Sequence, residues 1–502
     1  MTEPLGDSAV RIALCQPPTR ALQDALRELE PVRDVVLSET HAGLYFCSEF
    51  AARALDHARL HALLARAYGP LEATKQFAFE TCYDGEDLAA VARALAMAES
   101  ALVSAHAEVV YRVCTMGFVP GFAYLGDVPT SLAVPRRKTP RASVPANSVA
   151  IAGDRTGIYP FAGPGGWNLI ATVKHLTLFH PDTGSLLNLG DRVVFERSPL
   201  GRRPAALATP RMPTAVKDSL QPHLLIERAS APCLLQDRGR YGWMHQGVSP
   251  GGYLWPQLAE QTLASLDESA GYIVLELYGS VTVRCEGAGQ WLSHNGVLRW
   301  AQAGESITLP APDNARVSYL AVASGFALRP QLASVSQLLR ASLGGLPSAR
   351  HRPLRAGDRV PFVPANLQSI PAKRQLLQAT ALSMAECAAK RIAVMPGPDV
   401  ARFSPGAFEQ LLSTAWTVSA QSDRVGVRLH GPALSRTDGD LGRSAPMVAG
   451  AIQVPADGAP IVLGVDHPTV GGYPVLAVVR NRDVGLLCAR AVGQTVRFSV
   501  VP

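Results

Sequence analysis

The apolar residues of this chain fall mostly in short runs cut by Gly and Pro, and sustained 3.6-residue spacing is confined to a few stretches. That pattern predicts short strands joined by tight turns, with helices as minor covering elements. Residues 9–15, 32–37, 44–47 and 77–83 predict strands, and residues 21–29 and 49–68 predict helices. The order β-α-β-β-α-β is that of a ferredoxin-like unit. Two more helical stretches, 88–98 and 99–110, follow the turn YDGEDL, where Asp87 is placed to cap the next helix. His106 reads as a structural histidine.

Residues 116–167 cannot be helical. The segment MGFVPGFAYLGDVPTSLAVPRRKTPRASVPANSVAIAGDRTGIYPFAGPGGW interleaves aromatics with Gly and Pro and sets Arg136, Arg137, Lys138 and Arg141 among prolines. Gly opens backbone angles closed to other residues and Pro fixes φ and removes a donor, so rigid turns between strands are expected. With strands at 168–173, 176–179 and 192–196 they imply a closed or nearly closed β-barrel. Cations and aromatic faces on rigid loops suit an anionic small molecule; packing in a core is the other reading of those aromatics.

Residues 198–222 are Pro-rich without apolar periodicity and predict a linker between two halves. Strands at 224–229, 272–277, 281–285, 306–309 and 317–323 follow, with a helix at 335–343. The loop QDRGRYGWMHQGVSPGGYLWPQ matches 116–167 in style, without a residue-level repeat. A weaker boundary lies between 361 and 389. Beyond it, Val425, Val427 and Leu429 alternate with Gly426, Arg428 and His430 as in a half-buried strand. The expected domains are 1–87, 88–197, 223–388 and 389–502, and the class is α+β, β-rich.

At 502 residues the chain exceeds one core, and 47% hydrophobic with 18% charged residues is the balance of a packed globular protein. A net charge of +6, with six scattered lysines, gives no footprint for nucleic acid. Eight dispersed cysteines without a CxxC pair suggest free thiols in a reducing cytosol, and no apolar run is long enough to cross a bilayer, so a cytoplasmic location is expected. Signatures for a P-loop, a dinucleotide fold, H-E-x-x-H zinc and the G-x-S-x-G elbow are absent. No lysine is flanked by two methionines, which argues against covalent biotin on this chain.

GFVPGFAYLGDVP and PRRKTPRASVPANSVAIAGDRTGIYPFAGPGGW closely resemble the signature of the 5-oxoprolinase B subunit, also known as the Kip inhibitor of a sporulation histidine kinase and as allophanate hydrolase subunit 1. In the second half LLQDRGRYGW, GVSPGG, LEL, YLAVASGF, VMPGPD, SDRVGVRL, GAIQVPADGAPIVL and GGYP resemble the 5-oxoprolinase C subunit, the biotin-dependent carboxyltransferase-like or Kip antagonist family. The two resemblances cover nearly the whole chain in the order B then C, as in a natural fusion. They imply cyclophilin-like β-barrel domains after the ferredoxin-like unit. They also imply an ATP-dependent opening of 5-oxoproline to glutamate, with Mg2+ expected beside ATP, completed by a separate 5-oxoprolinase A subunit. A lactam carbonyl is protected by amide resonance, and phosphorylation of its oxygen would make the carbon electrophilic and supply a leaving group. The protein's part would be positioning and cationic stabilisation, which suits the bidentate geometry of arginine.

Carried over position by position, the resemblance puts Gly117, Phe118, Pro120, Gly121, Phe122, Tyr124 and Leu125 on one wall of a first pocket. Gly153, Thr156, Gly157, Tyr159, Gly165, Gly166 and Trp167 would lie opposite, with Arg136 and Arg141 as its cations. In the second half Gln236, Asp237, Arg240, Gly251, Gly252, Glu276, Arg428, Gln453, Gly471, Gly472 and Tyr473 match binding positions, and Arg424 joins Arg136 and Arg141 as a catalytic candidate. The plainer reading is turn geometry for the glycines and structural ion pairing for the arginines. The second half departs from its family pattern at Leu254-Trp255-Pro256, Ser334-Val335-Ser336-Gln337, Ser444-Ala445-Pro446 and His467-Pro468-Thr469-Val470. Besides lactam activation, two roles remain open: a carboxyltransferase component acting on urea or a related small amide, and a kinase-binding regulator. A homo-oligomer is compatible with the sequence.

Overall fold

The structure, a computed structural model, describes residues 2–66, 74–174, 176–198, 221–266, 271–365, 390–437 and 443–500. The expected linker at 198–222 and the boundary between 361 and 389 lie largely outside the described residues. The architecture is mixed α+β and dominated by sheets, with one closed and one nearly closed barrel.

The N-terminal unit is a four-stranded antiparallel sheet in the order Thr2–Pro4, Ala9–Ala13, His41–Tyr45, Asp34–Leu37. Helix Arg20–Arg27 starts where the Thr19 hydroxyl accepts from Leu22 N, and it buries Leu22 and Leu26 against the sheet. The single helix expected over 49–68 is two pieces, Glu49–Arg53 and His57–Ala65, because Ser48 and Asp56 each cap a new start. A further difference concerns the strand expected to complete this unit. Gln76–Cys82 runs parallel to Arg192–Arg197 and antiparallel to Asn168–Val173, so it opens the following barrel. Its Phe79 is buried in the barrel core, and the edge place in the first sheet is taken by Thr2–Pro4.

The first barrel closes through seven strands: Gln76–Cys82, Asn168–Val173, Ser148–Ala152, Arg155–Ile158, Ala123–Gly126, Tyr111–Met116 and Arg192–Arg197. Helices Leu88–Ala94 and Glu99–Ala107 cover it. His106 is fully buried between the Tyr83 hydroxyl (2.8 Å) and Thr156 Oγ1 (3.1 Å), and burial lowers its pKa to about 3, so it is a neutral core histidine.

The second half begins with a four-stranded and a five-stranded sheet whose inner faces share one core. The helix expected at 335–343 is only a 3-10 turn, Leu339–Ala341, because Val335, Ser336 and Gln337 are drawn out in extended form by Asp237, Gln236 and Leu235. The C-terminal eight-stranded sheet forms a nearly closed barrel whose final strand is split at Arg497. Thr495–Val496 pairs with Trp416–Val418, and Phe498–Val500 lies parallel to Ile392–Pro396.

Numbered along the chain, the strands of both barrels are neighbours in the order 1-6-4-5-3-2-7, and in both the first strand runs parallel to the last. The protein therefore contains a duplicated barrel.

The halves grip each other reciprocally. The N-terminal sheet lies on the second barrel through Tyr45 Oη, which donates to Met447 O at 2.7 Å, and through Arg11, which pairs with Asp399. In return the turn around Gly242 to Gly247 reaches the first half: Gly242 N and Met244 N donate to the Asp34 carboxylate (2.6 and 3.2 Å), and Gln246 O accepts from Gly121 N (3.0 Å). An apolar cluster runs through this joint, including Val36, Phe122, Trp167, Met244, Met447 and Val470. Among the described cysteines, all free, Cys15 and Cys47 are exposed and the other five buried. No single described helix is long and apolar enough to cross a membrane.

Candidate functional site

The signature of the first half folds into the joint. Phe118 takes a left-handed φ of 70°, unusual for a residue with a Cβ, as the chain reverses between Gly117 and Gly121. Phe122 is the hub of an edge-to-face cluster, 5.0 Å from Tyr124, 5.4 Å from Tyr159, 5.5 Å from Phe118 and 5.6 Å from Trp167. Pro120 is buried beside it and Phe118 is half-buried. Gly165 must lack a side chain, since a Cβ there would stand 2.4 Å from Tyr159 Oη. These residues do meet, as packed rings with a half-exposed edge rather than as two walls of an open cleft.

The cations divide. Arg141 Nη2 donates to Asp87 Oδ1 (2.8 Å) and pairs with Glu86 (3.0 Å), and Arg137 Nη1 donates to the same Asp87 oxygen (2.8 Å). Asp87 does not cap its helix as expected; its other oxygen accepts from Leu169 N (2.8 Å). Burial alone would raise this carboxyl, but Arg141, the Leu169 amide and Arg137 hold it below its ordinary range. Arg136 stands over the Trp167 ring at 6.0 Å. Among the described residues Arg136 and Lys138 form no ion pair, while Arg141 Nη1 is buried without a hydrogen-bond partner.

The second constellation surrounds Arg424, which is almost fully engaged. Its Nη1 donates to Glu276 Oε1 (2.5 Å), Nε to Asp466 Oδ2 (2.8 Å), and Nη2 to Asp466 Oδ1 (3.1 Å) and Gly252 O (2.7 Å). Glu276, fully buried, also accepts from Tyr278 Oη, Tyr319 Oη and Leu254 N. Burial, then the Glu276 charge, pushes both phenols well up, and Arg424 stays cationic because Asp466 and Glu276 outweigh its own burial. Next to this group Arg240 is wholly buried against the carbonyls of Gln331, Ser334 and Ser336, and burial draws its pKa down to about 10. Asp237 accepts from Ser334 Oγ and Val335 N, and Gln236 bonds Ser336 Oγ and Gln337 O.

The structure thus gathers Gln236, Asp237, Arg240, Gly252, Glu276 and Arg424 into one buried polar network. Gln453 lies apart, bonded to Tyr473 O and Met447 Sδ, and Arg428 is exposed on its strand. Sequence reasoning missed Asp466, Tyr278 and Tyr319; the cues were that Tyr319 opens the YLAVASGF motif, Tyr278 follows LEL and Asp466 precedes HPTVGGYP. The departing segment Ser334–Gln337 is the one that receives Gln236, Asp237 and Arg240, so a divergent segment is held by residues that match the family. The two signatures touch directly: a Cβ on Gly247, which opens GVSPGG, would lie 2.5 Å from the carbonyl oxygen of Val119 in GFVPGF. No group of three or more potential metal-binding side chains occurs among the described residues.

The family model for the carboxyltransferase domain, subdomain C and D, matches residues 2–187, and that for subdomain A and B matches residues 268–500. The 5-oxoprolinase C subunit of Escherichia coli (strain K12) is 33% identical over 294 residues, 55% of this chain and 90% of that protein. The 5-oxoprolinase B subunit of Haemophilus influenzae is 36% identical over 205 residues, 38% of this chain and 95% of that protein. The crystal structure of TTHA0988 matches with a TM-score of 0.76 and 30% identity, covering 98% of this chain and 99% of that one.

Proposed function

The chain belongs to the families of the 5-oxoprolinase B and C subunits, joined in one polypeptide in the order B then C, and from this we propose that it is the lactam-activating component of an ATP-dependent 5-oxoprolinase. A separate A subunit would complete ring opening to glutamate. The observation that carries this reading is that both family signatures lie on one chain and pack against each other, Gly247 on Val119.

The loop bearing Arg136, Lys138 and Arg141 fits an anionic, phosphate-bearing ligand better than the Arg424 network does. Two of its cations have no carboxylate partner among the described residues, and Arg141 Nη1 has a donor to spare. Arg424, by contrast, is committed to two carboxylates and a carbonyl. ATP, with Mg2+, would supply the phosphoryl group that converts the lactam oxygen into a leaving group. Arg136 and Lys138 would hold phosphate oxygens, Arg141 would donate through Nη1, and the Asp87 pair would keep Arg141 in place. The packed rings from Phe118 to Trp167 would shield the lactam from water. Arg424, Glu276 and Asp466 would fix the second-half wall.

Purified chain mixed with the matching A subunit should release ADP and glutamate only when 5-oxoproline is present, and Arg136→Ala should lower that turnover with the fold intact. Absence of 5-oxoproline-dependent ADP would overturn the proposal. A second reading, carboxyl transfer to a small amide from biotin carried on another protein, draws support from the carboxyltransferase description of both family models. Transfer of label from carboxybiotin to urea, without ADP release, would favour it.

A further inference from the structure

The duplicated barrels carry the same backbone device, completed from different places. In the first barrel Gly85 N donates to Ile170 O (3.1 Å), Asp87 N donates to Leu169 O (2.9 Å), and Asp87 Oδ2 accepts from Leu169 N (2.8 Å). In the second, Gly397 N donates to Leu476 O (2.8 Å), Asp399 N donates to Val475 O (3.2 Å), and Asp399 Oδ2 accepts from Val475 N (2.9 Å). The aspartate thereby grips the sixth strand two residues after a Gly-Gly-aromatic turn: Gly165-Gly166-Trp167 in one barrel, Gly471-Gly472-Tyr473 in the other. A Cβ on either Gly85 or Gly397 would collide with the gripped strand's backbone, at 2.2 and 2.3 Å.

The remaining carboxylate oxygen needs a cation, and here the copies diverge. Asp87 Oδ1 takes Arg137 and Arg141 from its own barrel. Asp399 Oδ1 takes Arg11 Nη2 (3.0 Å), which comes from the N-terminal sheet of the other half. Arg11 is 6% exposed and is oriented by Glu3, whose Oε2 accepts from its Nε and Nη2 at 3.1 and 3.0 Å. The same sheet is seated on that strand at a second point, where a Cβ on Gly6 would lie 2.7 Å from Val478 Cγ1. The Asp399 side chain is 14% exposed, and a carboxylate so largely covered is costly to leave without its charge partner, so undocking Arg11 would loosen the grip on Val475.

We infer that Arg11 is a positioning residue for the Gly471-Gly472-Tyr473 turn: this part of the second-half signature is set in place only while the N-terminal sheet of the first half is docked on Asp399. The inference extends the functional reading above, because that turn belongs to the C-type signature, but it can be tested without turnover. In the full chain, hydrogen–deuterium exchange should show Arg11→Met speeding exchange over residues 470–479 roughly tenfold or more, with residues 165–173 unchanged. Because Asp87 keeps Arg137 when Arg141 alone is changed, the double variant Arg137→Met/Arg141→Met should do the converse. Arg11→Lys, which keeps the charge, should restore much of the protection. Unchanged exchange at 470–479 in Arg11→Met would overturn the inference. So would equal loss of protection in both barrels, which would make Arg11 a general stabiliser, or Arg11→Lys behaving like Arg11→Met. Failure of the 5-oxoproline assay would leave these outcomes untouched and would count only against the functional reading.

Discussion

The two barrels share connectivity, the Gly-x-Asp grip and the Gly-Gly-aromatic turn, yet they differ in how far each sustains itself. The first closes its ring, supplies both arginines to Asp87 and buries Trp167 to 6% exposure. The second leaves Tyr473 at 37% exposure, borrows Arg11 from the N-terminal sheet, and sends Arg424 out to Glu276 in the preceding sheet body. The two barrels share the same backbone bonds and the same aspartate, while the cations that complete the grip come from different places.

The most disruptive way to break that comparison is Arg424→Met. It leaves Glu276 and Asp466 buried without their cation and should cost about 3–5 kcal/mol of unfolding free energy in urea titrations. A loss under about 1 kcal/mol would mean that the second barrel stands as independently as the first. Truncating the equivalent aromatics gives a sharper contrast. Trp167→Ala should destabilise by about 3–4 kcal/mol, and Tyr473→Ala by less than about 1 kcal/mol, in the same titration. Similar losses at both would show that the exposure difference carries no energy.

A pH-dependent effect concerns the return grip of the second half on the first. Asp34 is raised from its ordinary 3.8 to about 6 by burial, against the amides of Gly242, Met244 and Val35 and the charge of Arg27. Since the folded state binds this proton more tightly than the unfolded chain, the Asp34 contribution is present at low pH. It is lost as pH rises from about 4 through about 6, by at most about 3 kcal/mol. Asp34→Asn should flatten that part of a stability–pH profile; an unchanged slope would assign it to another group. Asp34 borders a cavity of about 440 Å³ at the joint, lined also by Asp24, Arg27, Glu28, Arg33 and Gly242.

Strand-rich character and the first barrel were legible in the sequence because Gly and Pro punctuate short apolar runs, whereas the second barrel was expected only from the family resemblance. Which sheet a strand joins was not: alternation in Gln76–Cys82 reports burial, and its partners Asn168–Val173 and Arg192–Arg197 lie far along the chain. The duplication was hidden for a related reason. It survives as hydrogen-bond connectivity, with only Gly85/Asp87 against Gly397/Asp399 and the two Gly-Gly-aromatic turns left as letters, and the likeness in style between 116–167 and 236–257 pointed to the wrong pair. Arg141 and Arg424 could be picked out as residues, but not their engagement. The carboxylates that bind them sit 54, 148 and 42 positions away, at Asp87, Glu276 and Asp466.

The parallel pairing of first and last strands sets an order of events during synthesis. The first barrel can close once Arg192–Arg197 has been made, whereas the second waits for Phe498–Val500 to reach Ile392–Pro396. At ribosomal speeds of about 5–20 residues per second, the intervening stretch takes roughly 15–60 s. Throughout that interval the Tyr45 hydroxyl lacks Met447 O and Arg11 lacks Asp399. The nascent chain thus carries two unmet polar partners of the second barrel, Tyr45 and Arg11, until that barrel arrives.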